Sequence, residues 1–525
     1  MTKAAEMAKV SAKGGFHILW GLIVSTLISA LGTIIIANLL GPDNYGLYAI
    51  ALTAPNLISI FRDWGINSAI IKYSAQYKSE KNVAKIKSVF ISGLAFEIIL
   101  GLSLSIVSFF LSGFLALNFN RPTMAPLIQI ASFFILTGAL VNTASAAFTG
   151  VETMHLNSIV LIIQSIVKTG LIIGLLLLGL GTIGAITGFT MAVLVAGLAG
   201  LFLMWTAYKS LPKPTESKLE IFTTIKTMFK YGMPLSISTI IGGFLSQFYN
   251  YILAIYVTSN ATIGNYNVAL NFVVLINFFA IPVTTMMFPA FSKLNAQKDK
   301  ETLKTVFQYS VKYAALVVVP VTVMVMALAQ PAIGTLFQNK YTEAPLFLAL
   351  LSTTYLLSAL GSLSEGNLII GQGYTTFNLK LTILGTGIGL PLGYVLISQF
   401  GVIGLIVTTF VVSIPSLFIG LRFIRKHFGV SVDWISSVKI LFSSAVAGIL
   451  TFIVITNLAL SNITLLVMGI VIFPIAYITV ALATKTINQT DSNNLREIIL
   501  SLGPLRKPML FLLKLIERFM AIIDT

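Results

Sequence analysis

The chain contains no cysteine, so disulfides, thiolate metal sites and cysteine nucleophiles are all excluded. Its three histidines, His17, His155 and His427, are too scattered to give a metal-binding spacing. Charged residues make up only 10% of the 525 residues, and acids are the scarcer sign, 17 against 33 lysines and arginines. There is no Gly-Lys-Ser/Thr phosphate loop and no soluble domain to hold one, so ATP is excluded as a direct energy source through that motif. No catalytic constellation emerges, and the sequence reads as neither an enzyme nor a cofactor protein.

Apolar residues are abundant instead. They form 56% of the chain, in run after run of about 20 residues, the length that crosses a bilayer. A soluble protein of this length would split into several cores and could not hide so much apolar surface. The fold class is therefore all-α, a polytopic membrane protein. Spanning helices are expected near 15–40, 46–72, 87–117, 124–149, 154–180, 182–208, 230–257, 262–290, 304–328, 346–371, 374–399, 402–422, 436–458 and 462–484, fourteen in all. The first apolar run, Gly14 to Leu40, is 27 residues long and fits a retained spanning helix better than a cleaved signal.

The net charge of +16 would suit nucleic acid, but its distribution points to lipid. With the N-terminus cytoplasmic, the inner segments hold thirty of the lysines and arginines and the outer ones two, Arg121 and Lys340. Such a bias predicts that both termini are cytoplasmic in a cell-membrane protein whose basic face meets anionic lipid.

The two halves repeat. "GLYAIAL" (46–52) returns as "GNYNVAL" (264–270), "KSVF" (87–90) as "KTVF" (304–307), "GVETMHLN" (150–157) as "GQGYTTFN" (371–378) and "GTIGAI" (181–186) as "GVIGLI" (401–406), at offsets of 217 to 221. Four matches in order at nearly one offset predict a 6+6 pseudo-two-fold repeat with two extra helices. Six helices separate equivalent points, which puts the axis along the membrane normal, as in rocker-type transporters with a site between lobes. The expected organisation is an N-lobe over 1–208, a cytoplasmic linker over 209–229, a C-lobe over 230–425, helices 13 and 14 over 426–486, and a cytoplasmic amphipathic tail over 487–525. Lys514, Glu517 and Arg518 share one face of that tail, which suits the membrane surface better than its centre.

"ANLLGPDNYGLYAIAL" (37–52) resembles the opening signature of prokaryotic oligosaccharide flippases, the polysaccharide-export branch of the multidrug/oligosaccharidyl-lipid/polysaccharide transporters. "FKYGMPLSIS" (229–238), followed by "GNYNVAL", is a second marker, and with the linker and the 6+6+2 layout the resemblance covers essentially the whole chain. It implies a flippase that moves a lipid-linked oligosaccharide, carried on a polyprenyl phosphate or diphosphate, from the cytoplasmic to the outer leaflet. It also implies membrane lipids as partners, and glycosyltransferases or a polymerase of the same pathway. The chain departs from the pattern at "FYNYIL" (248–253), where Asn250 stands near the position of an acid in many relatives.

Few polar residues lie within the spans. Arg62 and Asp63 fall roughly 24–26 Å along helix 2 from Gly46, point about 100° apart and so need separate partners. Lys168 lies at the centre of helix 5, about 20 Å from either end, too deep to reach water. Its repeat equivalent is Gly389, so the charge belongs to one half only. An anionic headgroup gives Lys168 and Arg62 a reason to be there; the alternatives are a salt bridge from Lys168 to Glu97 and a snorkelling Arg62. Glu97 and Glu365 are expected to pair with basic groups or to serve as ion sites, with Asp63 beside them as a charge partner. Lys380 is a further phosphate candidate, and Asn250, Asn267 and Asn271 are candidate hydrogen-bonders to sugar hydroxyls or between helices. His17 is expected at the inner end of helix 1. Two other functions fit parts of the sequence: a multidrug and toxin extrusion cation antiporter, and a scaffold for a glycan-assembly complex.

Overall fold

The computed structural model describes residues 3–210, 221–294 and 298–487, together with 491, 492, 496, 510 and 517. The core of the expected linker, nearly all of the expected tail and the side chain of His17 lie outside the described residues.

The protein is all-helical. In chain order the helices are α1 (Lys3–Ser59), α2 (Ile66–Ser79), α3 (Val83–Asn118), α4 (Ala125–Gly150), α5 (Met154–Leu177), α6 (Gly181–Ser210), α7 (Ile221–Tyr256), α8 (Asn260–Lys293), α9 (Lys300–Ala327) and α10 (Ala329–Phe337). They continue as α11 (Ala344–Ser352), α12 (Ser362–Gly371), α13 (Thr375–Phe428), α14 (Trp434–Thr456) and α15 (Asn462–Ala483). Among the described residues ten helices are long and apolar enough to cross a bilayer, or eleven if α11, a 3-10 segment (Thr353–Leu360) and α12, bent by 54°, count as one.

The differences from expectation sit at chain breaks. The pairs expected at 15–40/46–72 and 374–399/402–422 run on as α1 and α13, interrupted only where Gly41 (φ 71°, ψ 170°) and Gly401 (φ 57°, ψ −127°) leave helical geometry. The expected helix over 46–72 is broken between Ser59 and Ile66. There Gly65 is left-handed (φ 79°), and its backbone lies so close to Gly232 of α7 that a Cβ on either would overlap the other's carbonyl oxygen. Helical periodicity carries no trace of that contact, which is 167 residues away in sequence.

Residues 1–267 and 386–405 form one compact unit, and 268–385 and 406–525 a second. In the first, α1 packs on α5, α3 on α4, and α4 and α5 on α6. The α3–α4 contact shows how this works in lipid. One stripe of α3 buries Gly101, Ser105, Ser108 and Ser112, while Ile99, Phe110 and Phe114 are turned outward, Phe110 78% exposed. Lipid solvates the large apolar side chains, so small residues take the interface and let backbones approach. The Ser108 and Ser132 hydroxyls hydrogen-bond at 2.8 Å, and the Leu136 N–H donates to Ser105 Oγ at 3.1 Å. In the second unit α14 packs on α9 and α15. One core there joins Phe291, Leu303, Phe307, Leu368, Phe428 and Val430.

Two further glycine contacts help join α7 and α8 to the first six helices within the first unit. A Cβ on Gly46 would overlap the carbonyl oxygen of Asn260, and a Cβ on Gly264 that of Pro42. The contacts are reciprocal at a constant offset of 218. Beside them the guanidinium of Arg121 is buried in the turn between α3 and α4. Its Nε donates to Asn260 Oδ1 (2.6 Å), Nη1 to the carbonyls of Phe119 and Ala254 (both 2.8 Å), and Nη2 to those of Val257 (2.7 Å) and Thr258 (2.9 Å). The last carbonyls of α7 have no intrahelical partner, and Arg121 supplies one.

Arg121→Ala is expected to lower stability by about 2–3 kcal/mol, because buried carbonyls lose a charged donor, and Arg121→Lys to recover less than half, since an ammonium lacks the planar fork. Thermal unfolding in detergent micelles measures both. In the same assay Gly264→Ala destabilises, whereas Gly113→Ala, where a Cβ meets open space, is near neutral.

Candidate functional site

Among the nine candidate residues, the structure brings Arg62 and Glu97 together. Arg62 lies in the break between α1 and α2 and Glu97 on the buried stripe of α3; they are 6% and 0% exposed. Arg62 Nε faces Glu97 Oε2 at 3.2 Å, a charge contact rather than an aligned hydrogen bond, since neither atom has a hydrogen-bond partner among the described residues. Arg62 Nη1 donates to the Ile135 carbonyl of α4 at 3.2 Å, and Asn67 Nδ2 of α2 donates to Glu97 Oε1 at 2.9 Å. Asp63 takes a different partner, accepting the Asn67 backbone N–H at 3.3 Å in the first turn of α2.

Lys168 is half-buried on α5, on the side that packs against α1. Its Nζ donates to Ser29 Oγ at 3.3 Å, and Ser29 Oγ in turn donates to Ser165 Oγ at 3.2 Å. Among the described residues Lys168 makes no ion pair; Glu97 is with Arg62 instead. One turn on, Gly32 of α1 admits Thr169, whose methyl and hydroxyl occupy the space of a Cβ. That close approach carries Lys168 against α1. At the repeat-equivalent position, Gly389 of α13, the space is filled by the hydroxyl of Tyr249 from α7. That hydroxyl is buried and has no hydrogen-bond partner among the described residues.

The other candidates are dispersed. Asn250 Nδ2 reaches Gln247 Oε1 at 3.5 Å, and Asn267 Nδ2 donates to the Ile263 carbonyl at 2.9 Å within its own helix. Asn271 and Lys380 are exposed. Glu365 of α12 leans on Gly420 of α13, with Oε1 buried and lacking a hydrogen-bond partner among the described residues.

Sequence reasoning missed Arg121, Asn67 and Tyr249. Arg121 had a signal, as one of only two cations expected on the outer side, but four of its five acceptors are main-chain carbonyls that no side-chain pattern reveals. It also missed a buried pair in the second unit, Lys312 with Asp491 at 2.7 Å. Among the described residues no group of histidines and acids could hold a metal.

Residues 35–346 match the family model described as polysaccharide biosynthesis protein. An uncharacterized membrane protein of Methanocaldococcus jannaschii is 24% identical over 76% of this chain and 81% of its own. Agl15 of Haloferax volcanii, a probable low-salt glycan biosynthesis flippase, is 23% identical over 59% of this chain and 65% of its own. The lipopolysaccharide biosynthesis protein WzxC of Escherichia coli is 21% identical over 71% and 73%. Among solved structures, the lipid II flippase MurJ in an inward closed conformation superposes with a TM-score of 0.71 at 15% identity, covering 88% of this chain and 97% of that one. An inward-facing multidrug resistance transporter of the MATE family gives 0.59 at 18% identity over 77% and 94%. These likenesses give the fold alone, one shared with that flippase and that transporter. The family model spans more than half of the chain, which therefore belongs to the polysaccharide biosynthesis protein family.

Proposed function

We propose that the protein is a flippase that carries a lipid-linked oligosaccharide from the cytoplasmic to the outer leaflet of the cell membrane by alternating access, with Lys168 receiving the phosphate or diphosphate of the carrier. The observation that carries this reading is Lys168 itself, a cation within an apolar helix that among the described residues has a single hydroxyl as its hydrogen-bond partner. An unneutralised ammonium at that depth is costly, and a lipid phosphate supplies the missing charge while its polyprenyl tail stays in hydrocarbon. The names of Agl15, WzxC and MurJ favour a glycan-bearing lipid over an organic cation, and so does the scarcity of acids.

On this reading fourteen helices cross the membrane. Dividing α1 at Gly41 and α13 at Gly401, counting α11 with α12 as one, and adding α7 brings the ten candidate spans to that number. The sequence repeat matches 1–208 to 230–425 on this reading, and its matched glycines Gly46 and Gly264 seat reciprocally within the first unit. Both termini and the basic ends face the cytoplasm, following the charge bias. Arg62 is the second anion contact, with Glu97 as its resting counter-charge, and Asp63 orders the start of α2. Asn250, Asn267, Asn271 and Lys380 are the proposed contacts of the sugars and phosphate, and Glu365 is the proposed site for the coupling ion.

In proteoliposomes loaded with a labelled polyprenyl-linked oligosaccharide, Lys168→Ala is expected to slow flipping about tenfold or more, the value of a lost charged contact, while Lys213→Ala leaves it unchanged. Equal effects, or organic-cation efflux without flipping, would falsify the assignment. The Arg62–Glu97 pair is tested by a double-mutant cycle. Glu97→Gln alone should cost about 3–5 kcal/mol by stranding a buried guanidinium, and Arg62→Met with Glu97→Leu should regain most of that stability but not the flipping rate. Recovery of both would leave the pair with packing alone.

A further inference from the structure

The last turns of α13 carry one face that changes character along its length. Phe418, Arg422 and Arg425 are spaced i, i+4, i+7 and share a stripe. The helix ends at Gly429, left-handed at φ 68°, and the chain turns back through Val430 and Val432 to Trp434 at the start of α14. The stripe and the returning chain enclose a cavity of about 360 Å³. Val430 and Val432 are buried beneath it, whereas Phe418, Arg422, Arg425 and Trp434 are exposed at its rim. Apolar atoms dominate the interior, so a free hydrophilic anion has little to recognise there beyond the two guanidinium groups.

Competing charge is accounted for. Asp433, between Val432 and Trp434, is committed to the start of α14, accepting from Ser436 Oγ at 2.6 Å and from the Ser436 backbone N–H at 3.2 Å. Partial burial pushes its pKa up, but those hydrogen bonds and the nearby Lys312 outweigh this and hold it below the ordinary value. It stays an engaged carboxylate. The negative end of the α13 dipole explains why cations favour this helix terminus, but not why they border an apolar hollow beside two exposed aromatic rings.

We propose that this elbow between α13 and α14 is a binding site for one anionic phospholipid of the surrounding leaflet, its phosphate held between Arg422 and Arg425 and its first acyl carbons lying against Phe418, Val430 and Trp434. Planar guanidinium forks match phosphate oxygens, and exposed aromatic rings suit the headgroup level of a bilayer. The volume is at the low end for ligand pockets, enough for a headgroup and the start of a chain but too small for an oligosaccharide. The proposal does not depend on the flippase reading.

Native mass spectrometry of the full-length protein, titrated with phosphatidylglycerol or phosphatidylcholine, tests it. The first phosphatidylglycerol should bind about tenfold or more tightly than phosphatidylcholine, in line with two basic side chains at an anionic surface. Arg422→Gln with Arg425→Gln should abolish that preference, whereas the charge-matched Lys81→Gln with Lys85→Gln should retain it. Ser431→Trp, which occupies the hollow without changing charge, should weaken phosphatidylglycerol alone and serves in place of the arginine pair if that variant misfolds. Equal loss in both charge-matched variants, equal affinity for the two lipids, or displacement of phosphatidylglycerol by millimolar inorganic phosphate would overturn the proposal.

Discussion

Hydrocarbon cannot hydrogen-bond, and that constraint governs where this chain spends its few charges. A continuous helix satisfies its own backbone, so polar side chains are needed chiefly where a helix stops or breaks. Arg121 sits where α7 ends and gives five donors to the carbonyls and amide around that turn. Arg62 sits where α1 breaks before α2 and reaches the Ile135 carbonyl of α4, while Asp63 caps an N–H at the start of α2. At the end of α7 and at the start of α2 a side chain thus answers for exposed backbone.

The same constraint decides what was legible in the sequence. Helices come from apolar length, and α3, α4, α5, α14 and α15 begin and end within a few residues of where that length places them. Breaks come from tertiary contact. The break before Ile66 depends on Gly232, and the 3-10 turn over Thr353–Leu360 contains neither proline nor glycine to announce it. Side-chain partners were legible only as a short menu. Glu97 had both Lys168 and Arg62 within conceivable reach, and which base it meets is fixed by the break that turns Arg62 toward α3 and α4. The Arg121 clamp was not legible at all, since carbonyl acceptors are present at every residue and only geometry selects among them.

Pairing Glu97 with Arg62 has a consequence for Lys168. Arg62 and Glu97 neutralise each other inside one unit, and the remaining polar demand of the pair is met by Asn67 and a backbone carbonyl. Lys168 is then left with a serine pair, which can orient an ammonium but cannot cancel its charge.

The repeat sharpens this contrast. Gly46 and Gly264, matched in the sequence repeat, seat against each other within the first unit, where any side chain would push the helices apart. The Lys168 position is treated differently, a cation in one half and Gly389 filled by the neutral Tyr249 hydroxyl in the other. The tyrosine fills that space without charge, so the anion proposed for Lys168 has no counterpart contact there.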